Sequence, residues 1–149
     1  MFHPGQRLIL ALGLSLLLAA CGSGATTSGS AGEAGAKATI ARAFRALASG
    51  DGATVCSLTT AAGRKTLASS LPNASCQKVV ALASRRLTKA QRAALASVVI
   101  HHVRVNGDQA TVTGSDVSSR RGSLRGFIDS RSEPTRLSKQ ADGSWKISG

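Results

Sequence analysis

The hydrophobic period of this chain changes once, near Ser97, and that change constrains the fold more than any other feature. Before it, apolar residues recur at helical spacing; after it, they alternate. Ile40, Phe44, Leu47 and Ala48 fall on one face of a helix that begins near Lys37 and stops at Gly50. Asp51 caps a short second helix carrying Val55 and Cys56. Thr59 or Thr60 caps a third, with Leu67 and Leu71 inward, and Pro72-Asn73 marks a loop. Ser75 opens a stronger helix with Cys76, Val79, Val80, Ala83 and Leu87 on one stripe. Thr88 and Gln91 form the capping box of a last short helix.

Beyond the switch, residues 97–105 read as one β-strand. Val99, His101, Val103 and Val105 share one of its faces. Asn106-Gly107-Asp108 is a hairpin signal. The return strand carries Ala110, Val112 and Gly114 on one face, which Asp116 continues. Residues 124–129, 135–140 and 144–148 read as three further strands. A three-residue turn at 141–143 sets Leu137 opposite Ile147, on the face that also holds Trp145. Helices followed by an antiparallel meander predict an α+β fold, with N-terminal helices packed on a curved antiparallel sheet.

Residues 8–18 form an apolar run behind Arg7, broken only by Gly13 and Ser15. A bilayer core needs about 20 apolar residues, so the run is too short to span one and reads as a secretory signal. Leu18-Ala19-Ala20-Cys21 resembles a bacterial lipobox. That resemblance implies cleavage after Ala20, acylation of Cys21 and a place on the outer face of the cytoplasmic membrane. The alternative is an ordinary cleaved signal with a chance cysteine. Residues 21–36, nearly all Gly, Ala, Ser and Thr after the cysteine, predict a flexible tether. Residues 37–149 then make one domain.

With Cys21 assigned to lipid, Cys56 and Cys76 remain as an even pair. Outside the cytoplasm such a pair predicts a disulfide, worth about 3 kcal/mol for a loop of this length. The rival is a metal site. Two cysteines so far apart, with His101-His102 distant in the chain, lack zinc-finger spacing, and neither metal nor cofactor is expected.

The formal net charge is +12. Without residues 1–20 it is +11, because Arg7 is the one cation removed. Such charge points to anionic lipid or wall polymer, against the plainer reading of a solvated basic surface. Arg85, Arg86, Lys89 and Arg92 form one cluster; Arg120, Arg121, Arg125 and Arg131 form another. With no Tyr, three Phe and one Trp, stacking on bases has little to use, so nucleic acid is not expected as a partner.

The domain resembles the nuclear-transport-factor-2-like cone fold, the family that includes ketosteroid isomerase and polyketide-cyclase-like proteins. More narrowly, it is similar to small actinobacterial lipoproteins of that fold. The resemblance rests on residues 43–51 (AFRALASGD), the Cys56/Cys76 pair, residues 103–112 (VRVNGDQATV) and residues 143–147 (GSWKI). It implies fold and compartment more than activity. In the resembling enzymes a carboxylate inside the cone acts as a base on a small hydrophobic substrate. Here His101 and Asp116 are the candidate acid–base pair, with Asp129 a weaker third member. The absence of Tyr departs from the enzyme pattern. The structural alternative makes His101 a satisfied rim histidine and Asp116 a strand-end cap. No nucleophile elbow, phosphate loop or dinucleotide fingerprint is present. The leading expectation is a non-enzymatic lipoprotein that binds a small apolar ligand or an envelope protein. An isomerase, cyclase or hydratase using His101 and Asp116 is the second, and an electrostatic envelope-interaction module the third.

Overall fold

The structure is a computed structural model and describes residues 28–125 and 133–149. Among the described residues five helices precede six strands: α1 (Ser28–Ser49), α2 (Gly52–Ser57), α3 (Ala61–Ser69), α4 (Cys76–Arg85) and α5 (Lys89–Ala96). The strands are β1 (Val98–Ile100), β2 (Arg104–Asn106), β3 (Gln109–Val112), β4 (Val117–Ser119), β5 (Thr135–Lys139) and β6 (Trp145–Ile147). All strand pairing is antiparallel, β2-β3-β5-β6 in one sheet and β1-β4 in a second. The α+β expectation therefore holds.

Side-chain caps set the helix starts. Asp51, Thr60, Ser75 and Thr88 each accept from a backbone amide two or three residues into α2, α3, α4 and α5. At α5 the capping box is complete, since Gln91 also accepts from the Thr88 amide at 2.8 Å. Gly50, at φ 79°, turns the chain out of α1 in the left-handed region that glycine adopts without strain.

Helix α1 begins at Ser28, inside the segment that composition reads as tether. Gly32 and Ala36 are buried, and a Cβ built on Gly35 would stand 3.0 Å from Trp145 Cδ1. The small residues let the helix backbone approach the tryptophan. Glycine disfavours an isolated helix by about 1 kcal/mol against alanine, so it is this packing that holds the segment helical. Ala36 and Ile40 continue the stripe into the main core with Val103, Ala110, Val112, Leu137 and Trp145. Thus α1 fills the inner face of the four-stranded sheet. A second core, under α5 and β1, gathers Ala48, Ala94, Leu95, Val98 and Leu124.

The strand expected over 97–105 is two strands, in separate sheets. Its hairpin tip is as predicted: Asn106 faces Gln109 across Gly107-Asp108, with Gly107 at φ 59°. Continued from Arg104 opposite Thr111, that register would set Ile100 opposite Ser115; instead Ile100 faces Val117. The two extra residues are taken up by a 3-10 turn, Gly114–Asp116, which bends the long hairpin. The expected strand at 124–129 is not seen at Leu124 and Arg125, and its remainder, including Asp129, lies outside the described residues. The last hairpin matches prediction, with Leu137 opposite Ile147. Gln140 closes its three-residue turn by donating to the Ser144 carbonyl at 2.7 Å.

Cys56 and Cys76 form a disulfide that joins α2 to α4. Both cysteines are buried beside Val80, and Leu47, Val55 and Leu67 pack around them.

Candidate functional site

The proposed acid–base pair is not assembled. His101 and Asp116 meet only through the backbone, where the His101 amide donates to the Asp116 carbonyl at 2.8 Å. The imidazole is exposed, and its Nε2 lies 2.7 Å from Ser118 Oγ. The Asp116 carboxylate is buried and turned to Thr113, accepting from the Thr113 amide at 3.0 Å and from the Thr113 hydroxyl. The cause is the 3-10 turn. It takes the carboxylate out of strand alternation and makes it the lock of the turn itself. Thr113-Gly114-Ser115-Asp116 has the Thr-x-x-acid spacing of a capping box, the one sequence signal that marks this arrangement. His102 is also exposed, and no group of three or more metal-ligating side chains occurs among the described residues.

The hydroxyl and amide of Thr113 hold the Asp116 carboxyl below the ordinary aspartate value. A lowered folded-state value stabilises the fold above the unfolded-state value, near 3.8, and that contribution is lost as pH falls through the folded value. Asp116→Ala should therefore cost about 2 kcal/mol at pH 7 by urea denaturation. The gap between variant and wild type should close as the medium is acidified below the carboxylate range. A gap unchanged at low pH would mean that the charge on Asp116 does not support the turn.

The basic residues divide into internal and external sets. Arg92, grouped by sequence with a surface cluster, points inward. Its guanidinium donates to the Ala48 carbonyl at 3.0 Å and the Ser84 carbonyl at 2.7 Å, pinning α5 to the ends of α1 and α4. Arg64 donates to the Thr59 carbonyl at 2.7 Å and the Cys56 carbonyl at 3.2 Å, and likewise belongs to the fold. Arg120 and Arg121 are exposed just after β4 and, with Arg45 of α1, line a groove of about 650 Å³. Sequence grouping missed Arg45, because α1 and the segment after β4 are brought together only by tertiary packing. Ala93, Ala96 and Val99 complete an apolar floor, with Ser97 between them, while the Val98 side chain turns into the second core. The Ser97 hydroxyl is engaged with Ser119 Oγ at 2.9 Å and the Ala93 carbonyl at 2.8 Å, so it holds the groove's shape.

No family model, curated protein or solved structure matches the chain significantly.

The groove offers three guanidinium groups, which make no ion pair with a described residue. Guanidinium forks bind carboxylate and phosphate oxygens through paired hydrogen bonds. A smaller apolar recess of about 220 Å³ lies between the end of α3 and α4, lined by Leu71, Val79, Leu82 and Ala83 with Ser70 and Arg86 at its edge.

Proposed function

We propose that this chain is a lipid-anchored, extracytoplasmic binding module of the nuclear-transport-factor-2-like type, acting without catalysis on an anionic component of the cell envelope. The observation that carries the reading is the groove at which Arg45, Arg120 and Arg121 converge. The separation of His101 from the Asp116 carboxylate favours binding over acid–base chemistry. With the sheet's inner face filled by α1, a ligand has its room on the outside of the domain. The helix-rich N-terminal half, the bent hairpin and the final Trp145 strand support the cone-fold likeness. The apolar recess beside α4 favours a second reading, in which a small apolar ligand or a protein partner docks there.

Anchoring follows from Cys21 and its lipobox-like context. Only residues 22–27 separate Cys21 from α1, so the domain stands at most about 25 Å from the lipidated residue. Two or three acyl chains at about 0.8 kcal/mol per methylene would make the attachment stable. Cys21→Ala should move the protein out of the membrane fraction and remove the acyl increment from its intact mass. A variant that stays in the membrane fraction would sink the anchor.

A further inference from the structure

The positive charge of this chain is not matched by its own carboxylates. Glu33 bridges Lys37 at 2.8 Å, the one ion pair among the described residues. Asp51 accepts from the Thr54 amide, Asp116 from Thr113, and Asp142 from the amide and hydroxyl of Ser144. These three aspartates are thus spent on turns and a helix start, while Arg45, Arg120 and Arg121 line one groove together. Three arginines lining one concavity raise its positive potential, which a bound oxyanion relieves.

We propose that this groove binds the phosphodiester headgroup of an anionic membrane phospholipid. The guanidinium groups clasp the phosphate oxygens, and the Ala93, Ala96 and Val99 floor takes the glycerol and its first methylenes. The inference deepens the binding-module reading by naming its ligand, and it rests on that reading. A groove of about 650 Å³ lies within the usual ligand-pocket range of about 300–1,000 Å³. The apolar floor beside the cations suits an amphiphile better than a fully hydrated anion. Position agrees. Arg45 stands about 26 Å along α1 from Ser28, close to the greatest reach of the chain back to Cys21. A domain lying with α1 along the bilayer brings the groove to the headgroups, and the anchor makes the encounter intramolecular.

The test is calorimetric titration of the full chain in non-ionic detergent with dihexanoyl-phosphatidylglycerol, dihexanoyl-phosphatidylcholine, glycerol phosphate and inorganic phosphate. Arg120→Gln with Arg121→Gln should weaken phosphatidylglycerol binding roughly tenfold or more. Arg85→Gln with Lys89→Gln removes equal charge from exposed positions outside the groove and should change it less than about twofold. Circular dichroism melts confirm that each variant is folded. Equal weakening by both pairs would overturn the proposal in favour of diffuse surface charge. Equal binding of phosphatidylcholine would remove headgroup recognition. Glycerol phosphate or inorganic phosphate binding as tightly as the lipid would make the groove a site for soluble phosphates, against the proposal. Because the titration needs no anchor, its failure is distinct from a failure of Cys21→Ala to leave the membrane.

Discussion

Trp145→Ala should destabilise the domain by about 3–5 kcal/mol, the largest loss expected from a single substitution here. The indole is 5 % exposed and closes the main core between α1 and the sheet. Its removal opens a cavity against Gly32 and Gly35, which carry no side chain of their own to fill it. Total domain stability is usually about 5–15 kcal/mol, so the variant stands near the unfolding threshold. Equilibrium urea denaturation measures the loss. The same interface can be pressed from the other side. Gly35→Val places branched atoms where even a Cβ is 3.0 Å from the indole, and it should destabilise the wild type more than it does the Trp145→Ala background. A loss below about 1 kcal/mol for Trp145→Ala, with no coupling to position 35, would mean that α1 does not rest on the tryptophan.

Replacing both cysteines, Cys56→Ser with Cys76→Ser, should cost about 3 kcal/mol. The chain-entropy model assigns that much to a closed loop spanning a separation of 20 residues. The serine hydroxyls add to the loss, because both sites are buried among Val80, Leu47, Val55 and Leu67. A thiol reductant should lower the denaturation midpoint of the wild type and leave the double variant unchanged. Equal sensitivity of the two proteins to reductant would show that the bond does not support the fold. The effect reaches past the α2–α4 contact, since Arg64 hydrogen-bonds the Cys56 carbonyl and Ile147 of β6 donates to the Leu58 carbonyl.

How far the sequence could be read is clearest at three places. The last hairpin was legible to the residue pair, because turn length and alternation together leave one register for Leu137 and Ile147. The hairpin before it was legible only at its tip. The two-residue insertion that bends it has no hydrophobic signature, since Thr111, Thr113 and Ser115 continue a polar alternation. Its one mark in the sequence is the Thr-x-x-acid spacing of residues 113–116, and its size is visible only once both flanking registers are known. The start of α1 was misread because Gly, Ala and Ser spell a flexible chain in isolation, and only the tryptophan across the gap makes their smallness a packing requirement. The candidate site followed the same rule. His101 and Asp116 are neighbours by strand counting, yet the turn sends their side chains to different partners.

By itself the sequence determined the order of the helices, the helix caps, the two hairpin tips and the pairing of Cys56 with Cys76. Each depends on contacts within a few residues or on the parity of a cysteine count, and so is written locally. Only the tertiary structure decided that α1 extends back to Ser28 and fills the inner face of the sheet. It alone decided that Arg92 and Arg64 are held inside the fold while Arg45, Arg120 and Arg121 share a groove. Those outcomes depend on which distant surfaces meet, and a guanidinium that caps a carbonyl looks the same in sequence as one that waits for a ligand.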